Sequence, residues 1–184
     1  MNIFISYMFE LFTKRNLEIL SLVIYEKFHI RDIATRLKIS PAKVHGAIQL
    51  FKKYGLIRIV KEKNRNIVFV NENSLLLKRI KSLMNLYRLL SSKHFKKLRK
   101  YGKVGIYGSF IKGEDDKESD IDLWLLTDNK NKEIIEINRS LEKEVGRRIN
   151  LLLLNSKKLR YLREKDYEFY LRLKLTSVGD DIFD

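Results

Sequence analysis

Cysteine is absent from this 184-residue sequence, and proline occurs only once. The lack of thiols excludes a disulfide framework and any zinc site built on thiolates. Only three histidines are present, and their scatter along the chain argues against a His-rich metal site. Residues 1–12 are apolar but include Glu10, have no basic start and are too short to cross a bilayer. We therefore expect a cytoplasmic protein without a membrane partner, in which residues 1–13 form a packing segment.

Acidic residues are scarce in the first half of the chain. Residues 1–103 contain 23 Lys and Arg against 6 Asp and Glu, whereas residues 104–184 contain 15 against 17. Clustered basic side chains bind polyanions because they displace counterions from phosphates. The asymmetry predicts that the N-terminal half binds nucleic acid, and a solvated basic surface is the alternative.

Residues 14–73 have the pattern of three helices and a hairpin. Two apolar stripes with helical spacing precede Ser40-Pro41, a good cap and first residue for a third helix, which Gly55 ends. Two β-rich runs then flank a polar tip at residues 64–66. This is the plan of a winged helix, and residues 33–57 resemble the DNA-binding domains of many prokaryotic transcription regulators.

The resemblance implies duplex DNA as the partner of this domain. The third helix would enter the major groove, and the wing would contact backbone phosphates. The candidate DNA-binding residues are Lys43, His45, Gly46 and Gln49 on the helix and Lys61, Lys63 and Arg65 on the wing. A domain that mediates only protein contacts is the alternative, and a homodimer fits because winged helices often bind as dimers.

Residues 74–101 predict a long basic connecting helix with a potential break at Ser91-Ser92. Apolar residues recur every three or four positions, and residues 75–103 contain ten Lys and Arg but no acidic residue. We interpret this helix as the connection between two domains.

Residues 102–184 combine an anion-binding turn with a pair of carboxylates. A short strand precedes Gly108-Ser109, ten residues separate Ser109 from Asp120, and Asp120-Ile121-Asp122 begins a second strand. The two-residue period of a strand puts both carboxylates on one face, where they repel each other unless a cation lies between them. The Gly-Ser turn offers backbone N–H groups and a hydroxyl to a phosphate.

This pattern resembles the polymerase-β-like nucleotidyltransferase superfamily, and within it the minimal nucleotidyltransferases. The resemblance implies an α/β domain with a small mixed sheet, in which Asp120 and Asp122 are catalytic and hold Mg²⁺ or Mn²⁺ on a nucleoside triphosphate (NTP). The implied nucleotide-binding residues are Gly108, Ser109, Lys112 and Ser119. The implied reaction is attack of an acceptor hydroxyl on the α-phosphate with release of pyrophosphate. Minimal nucleotidyltransferases as a class modify protein partners, including the toxins of HEPN-type toxin-antitoxin pairs, so such a partner is expected by resemblance.

Asn150 departs from the family pattern. The family usually carries a third carboxylate on the strand after the helix predicted for residues 132–145, and no Asp or Glu occurs between Glu144 and Glu164. A neutral amide accepts no proton and is a weaker ligand for a hard cation than a carboxylate.

Three interpretations of the whole chain stay open. The first is transfer of a nucleotidyl group, adenylyl by preference, to an acceptor. The second is a DNA-binding regulator whose transferase domain has lost catalysis and senses nucleotide or binds a partner. The third is a transferase whose basic half holds RNA as the acceptor. Two local features also have two interpretations each: Trp124 stacks on a base or seals the core, and Arg147-Arg148 bind phosphates or form a solvated turn.

Overall fold

The computed structural model describes residues 10–62, 65–128 and 132–181, with the side chain of Arg65 left out. Most of the predicted N-terminal packing segment, Lys63, and the side chain of Arg65 thus lie outside the described residues. The chain divides into two compact units, Met1–Leu77 and Lys78–Asp184. Within the described ranges, no helix is both long and apolar enough to cross a membrane.

Between residues 14 and 70 the first unit has three helices and a small antiparallel sheet with the strand order β1-β3-β2. The helices are α1 (Lys14–Val23), α2 (Ile30–Leu37) and α3 (Pro41–Lys53). The strands are β1 (Phe28–His29), β2 (Ile57–Glu62) and β3 (Arg65–Val70). This order of elements agrees with the three helices and hairpin expected from the sequence.

The boundaries of α3 follow from local chemistry. The Ser40 hydroxyl accepts a hydrogen bond from the Lys43 N–H at 3.4 Å, and Pro41 occupies the first turn. Gly55 follows the helix with a φ of 66°, a left-handed conformation that glycine adopts without strain. The predicted apolar stripe faces inward, since its residues Val44, Ala47, Ile48 and Phe51 are buried.

The hairpin is longer than the sequence pattern indicated. Arg65 pairs with Glu62, and Asn66 pairs with Lys61, so two residues predicted to form the polar tip belong to β3 instead. Continuous backbone pairing down the hairpin outweighs the low strand preference of these polar residues.

The described part of the second unit is built on a four-stranded mixed sheet with the order β6-β5-β4-β7. Strands β5 and β6 are parallel, whereas β4 pairs antiparallel with both β5 and β7. The strands are β4 (Lys103–Tyr107), β5 (Ile121–Leu126), β6 (Ile149–Leu154) and β7 (Val178–Gly179). The helices are α4 (Leu75–Ser91), which begins before the unit boundary, α5 (Lys93–Leu98), α6 (Gly108–Lys112), α7 (Lys132–Val145), α8 (Ser156–Lys165) and α9 (Tyr167–Thr176).

Helices cover both faces of this sheet. One face carries a core cluster to which α4, α5 and α7 contribute, for example Leu89, Phe95 and Leu141. The other face carries a smaller cluster around Trp124 under α8 and α9. Asp166 separates these two helices, because it ends α8 and caps α9 by accepting a hydrogen bond from the Phe169 N–H at 3.2 Å.

The predicted break at Ser91-Ser92 is present. The Ser92 hydroxyl accepts hydrogen bonds from the N–H groups of His94 and Phe95, both at 3.1 Å, and so starts α5. The same hydroxyl donates to a carboxylate oxygen of Glu144 at 2.6 Å, and His94 Nδ1 lies 2.6 Å from that oxygen. These two hydrogen bonds lower the pKa of Glu144 to about 2.

The segment expected to be a connector has most of its length in the second unit. Divided at Leu77, the chain has 13 Lys and Arg against 6 acidic residues in the first unit and 25 against 17 in the second. The asymmetry between the two halves of the sequence arose because residues 78–103 were counted with the N-terminal half. When these residues are counted with the second unit, both units are basic. Part of its charge is also neutralised inside the second unit, in the ion pairs Lys78–Glu114, Lys81–Asp115, Lys97–Glu133 and Arg99–Asp180.

Candidate nucleotide and metal site

The carboxylates lie on one face of the sheet in the second unit. Asp122 on β5 is directly opposite Asn150 on β6 and Tyr107 on β4, so these three side chains form a row across neighbouring strands. Asp120 immediately precedes β5. The alternate residues Ile121, Leu123 and Leu125 are completely buried on the opposite face, as the two-residue period predicts.

Asn150 bridges the two aspartates. Its Nδ2 donates to Asp120 Oδ2 at 3.2 Å and to Asp122 Oδ1 at 3.1 Å. The amide hydrogens thus partly neutralise a pair of carboxylates that would otherwise repel each other. Among the described residues, no group of three or more His, Cys, Asp or Glu side chains could hold a metal ion.

The Gly-Ser turn lies against the same carboxylates. Strand β4 ends at Tyr107, and Gly108 then adopts a φ of 78°. A Cβ atom at Gly108 would lie 2.3 Å from Asp122 Oδ2, so both the conformation and the contact require glycine. Ser109 is half-buried and Lys112 is exposed. The turn that would bind phosphate and the carboxylate that would hold a cation are therefore in direct contact.

Ser119, a candidate for nucleotide binding, uses its hydroxyl within its own loop. The hydroxyl donates to Asp116 Oδ1 at 2.7 Å and accepts from the Asp116 N–H at 2.9 Å. The hydrogen bond from Ser119 lowers the pKa of Asp116. In this conformation Ser119 shapes the loop before β5.

A buried polar network, not predicted from the sequence, anchors that loop. The fully buried Asp115 carboxylate accepts from Arg147 Nη1 at 2.8 Å and from Asn85 Nδ2 at 3.0 Å. The Lys81 ammonium contacts the same carboxylate at 3.3 Å and also donates to the Asp115 carbonyl oxygen. The only sequence signal for this network is an acidic loop that could complement the basic helix α4.

The network corrects one interpretation. Arg147 is neither a phosphate ligand nor part of a solvated turn, because its side chain is 7% exposed and paired with Asp115. Arg147 also donates to the Ser119 carbonyl oxygen at 3.3 Å. It is a positioning residue for the chain segment that delivers Asp120, and Arg148 beside it is exposed.

Trp124 seals the core, although it lies on the same face as the carboxylates. Its ring is completely buried, and its Nε1 donates to the Ser177 hydroxyl at 2.9 Å. Gly105 on β4 makes space for the indole, since a Cβ there would lie 2.2 Å from the ring. Stacking of Trp124 on a base is therefore excluded in this structure.

Tyr107 is the aromatic side chain next to Asp122. It packs edge-to-face on Phe169 of α9, with ring centroids 6.3 Å apart, and the Arg172 guanidinium lies 4.8 Å from the Phe169 ring centre. Burial raises the pKa of Tyr107, and the negative charge of Asp122 adds to the rise. Sequence reasoning did not single out Tyr107 or Arg172, because α9 reaches the site only through the tertiary fold.

The candidate DNA-binding residues of the first unit are exposed on α3 and β2. Lys43, His45, Gly46 and Gln49 lie on the solvent side of α3, and a Cβ atom at Gly46 would contact nothing outside the adjoining residues and backbone of α3. The side-chain nitrogens His45 Nε2 and Gln49 Nε2 are 3.3 Å apart. Lys61 is exposed on β2.

Residues 90–167 match the family model described as "Polymerase beta, Nucleotidyltransferase". The matched segment includes the Gly-Ser turn, Asp120, Asp122 and Asn150, so the second unit contains a nucleotidyltransferase domain of this family.

Among solved structures, the chain is similar to the crystal structure of a transcriptional regulator, HlyU, from Vibrio vulnificus CMCP6. The identity is 18%, the match covers 45% of this chain and 85% of that chain, and the TM-score is 0.38. A score this low does not establish a shared fold. No curated protein matches the sequence.

Proposed function

We propose that this protein transfers a nucleotidyl group, adenylyl by preference, from an NTP to an acceptor hydroxyl. The observation that carries the proposal is the direct contact between the Gly108 turn and Asp122. Phosphate binding and cation binding must be adjacent for this chemistry, because a cation held by Asp120 and Asp122 would have to neutralise charge on the bound triphosphate.

The residues present fit one divalent cation. The side chains of Asp120, Asp122 and Asn150 converge, with Nδ2 of Asn150 3.1–3.2 Å from one oxygen of each aspartate. Rotation of the amide by half a turn would point its oxygen at the same place. Two carboxylates and an amide oxygen are hard ligands, and Mg²⁺ in nucleotide sites usually takes one or two carboxylates plus substrate phosphates.

Each part of the site has a separate task in this reaction. The backbone N–H groups and hydroxyl of Gly108-Ser109 would bind phosphate oxygens, and Lys112 would add positive charge. Asp120 and Asp122 would hold Mg²⁺ or Mn²⁺, which neutralises charge that develops on the phosphates. Asn150 cannot accept the proton of the acceptor, so we expect slower transfer than with a third carboxylate.

Transfer of label tests the proposal. The full chain is incubated with α-labelled ATP, Mg²⁺ and a lysate as the source of acceptors. We expect incorporation that Asp120→Asn and Asp122→Asn each reduce at least a hundredfold, since each change removes one of two cation-binding charges. Asp128→Asn is the matched control, because Asp128 is exposed beyond the end of β5. Incorporation that survives both site substitutions refutes the proposal.

One observation favours a second candidate, a DNA-binding regulator with an impaired transferase domain that senses nucleotide. The Asn150 amide satisfies both aspartates without a cation. Calorimetric titration of ATP and Mg²⁺ separates the two candidates. Binding by Asn150→Asp alone, with none by the native protein, would favour the regulator.

The first unit, as a winged helix, is proposed to bind duplex DNA in either case. Exposed Lys43 and Gln49 at the solvent side of α3 support this role. We expect Lys43→Ala to weaken binding to a duplex at low salt and to reduce the salt slope by about 1. The matched control is Lys14→Ala, because the Lys14 side chain is 92% exposed on α1. Equal loss in both variants would show unspecific attraction only.

For the acceptor, the resemblance proposes a protein, such as a HEPN-type toxin encoded with this chain, and the third interpretation of the sequence proposes a nucleic acid. Gel analysis of the labelling reaction distinguishes a labelled protein from labelled nucleic acid. A homodimer through the first unit is likewise a proposal, and sedimentation at two concentrations tests it.

A further inference from the structure

Helix α8 presents an unusually basic outer surface. Its ten residues include Lys157, Lys158, Arg160, Arg163 and Lys165 against one acidic residue, Glu164. All five basic side chains are exposed, and none forms an ion pair with any residue in the described ranges. This distinguishes α8 from α4, whose Lys78 and Lys81 are paired within the unit. The charge of α8 is available to a ligand.

Exposed tyrosines accompany this charge. Tyr161 on α8 is 62% exposed, and Tyr167 at the start of α9 is 57% exposed. Tyr167 stacks on Tyr170 with ring centroids 6.2 Å apart and an angle of 18° between the planes. The apolar contact of α8 with the sheet is made by Leu162 and Leu159 instead, so the Tyr161 ring is not needed for the core.

This surface extends to the carboxylates. Helix α9 contacts the sheet through Phe169, which packs on Tyr107, and Tyr107 is paired with Asp122 across β4 and β5. The Arg172 guanidinium lies over the Phe169 ring. One aromatic contact therefore separates the basic helix pair from the candidate catalytic residues.

We propose that the exposed surface of α8 and α9 binds single-stranded nucleic acid. Lysine and arginine side chains would track the phosphates, and Tyr161 and Tyr167 would stack on bases, a combination typical of single-strand binding. Base stacking requires unpaired bases, because a duplex keeps its base faces inside. The choice of nucleic acid over an acidic protein rests on the exposed rings of Tyr161 and Tyr167 beside basic side chains that form no ion pair with the described residues.

The bound strand would also be the acceptor of the proposed transferase, and this second part rests on that function. A hydroxyl oxygen of the strand would form a bond to the α-phosphorus of the NTP. The bond from that phosphorus to the β-phosphate bridging oxygen would break, pyrophosphate would leave, and the hydroxyl proton would pass to solvent. No oxidant or further reactant is needed.

Fluorescence anisotropy of the full chain with labelled 20-mers of oligo-U and oligo-dT tests the binding. We expect the double variant Tyr161→Ala, Tyr167→Ala to bind at least about thirtyfold more weakly, because stacking on two bases is lost. The matched control Tyr161→Phe, Tyr167→Phe keeps both rings and should bind within about twofold of the native protein. Arg160→Gln with Arg163→Gln should reduce the salt slope by about 1.4. Fluorescence of the buried Trp124 checks that each variant is folded.

Three results would overturn the surface assignment: native-like binding by the alanine variant, equal loss in the phenylalanine variant, or displacement of the oligonucleotide by poly-glutamate as effectively as by unlabelled strand. A preference for oligo-U over oligo-dT would identify RNA as the nucleic acid that this surface binds, and the reverse preference would identify DNA.

The same reaction mixtures separate this inference from the proposed function. Asp122→Asn should keep oligonucleotide binding while losing label transfer. Transfer of α-label to the oligonucleotide supports the acceptor role. Label found only on protein refutes that role while the transferase function stands, and absence of label everywhere, with binding intact, refutes the transferase function but not the surface.

Discussion

Replacement of Asn150 by aspartate tests how repulsion between carboxylates at the site affects the stability of the protein. In the native protein the amide donates to Asp120 and Asp122. In Asn150→Asp those two hydrogen bonds are lost, and three carboxylates meet at one place. Without a divalent cation the variant should therefore be less stable than the native protein, and with Mg²⁺ it should recover.

The magnitude follows from the distances. Two new carboxylate contacts at the 3.1–3.2 Å found for the amide cost about 1.3 kcal/mol each in a water-like dielectric. The lost hydrogen bonds to charged groups add roughly another 1 kcal/mol at an exposed site. We expect a loss of about 3.5 kcal/mol, or a melting temperature lower by roughly 10 to 20 °C for a domain of this size.

Thermal unfolding in EDTA and in Mg²⁺ checks this expectation. Asn155→Asp is the matched control, because it introduces the same charge at the N-cap of α8, where aspartate and asparagine cap about equally well. We expect Mg²⁺ to raise the melting temperature of Asn150→Asp much more than that of the native protein or the control. An Asn150→Asp protein that melts like the native protein in EDTA and does not respond to Mg²⁺ would refute the reasoning.

Three further substitutions test the surroundings of the site. The carboxylate of Glu144 has a pKa of about 2 against an ordinary 4.5. It therefore stabilises the fold fully above pH 4.5 and loses this effect as the pH falls toward 2. In urea denaturation, Glu144→Gln should lose less stability than the native protein between these two pH values. Arg147→Gln should lower stability by about 1 to 3 kcal/mol, because the buried Asp115 carboxylate loses one of its two cationic partners and keeps Lys81, and a change below about 0.5 kcal/mol in chemical denaturation would contradict the positioning role. Gly105→Ala should cost about 1 to 3 kcal/mol and alter the near-ultraviolet circular dichroism of Trp124, because the new Cβ would overlap its ring; an unchanged spectrum would count against this packing.

The parts of the fold that the sequence predicts well are those set by local spacing. The carboxylate face of β5 follows from the alternation of Asp120, Ile121 and Asp122, and the start of α3 follows from Ser40-Pro41. Such features need only the periods of a strand and a helix and the chemistry of a cap.

The parts that sequence reasoning missed depend on contacts between distant segments. Asp115 and Arg147 are 32 positions apart, and Tyr107 meets Phe169 only because α9 folds back onto the sheet. Composition also could not show how the basic charge is divided between the two units, because the residues of a basic helix do not indicate the unit in which that helix packs. The structure assigns most of that helix to the nucleotidyltransferase unit.

The most direct test of the central claim compares ATP labelled at the α-phosphate with ATP labelled at the γ-phosphate, using native protein and Asp122→Asn. We expect native protein to incorporate only the α-label, to release the γ-label in pyrophosphate and to require Mg²⁺ or Mn²⁺, whereas Asp122→Asn should neither incorporate the α-label nor release pyrophosphate. Incorporation of the γ-label, or α-label incorporation that persists in Asp122→Asn, would contradict nucleotidyl transfer at this site.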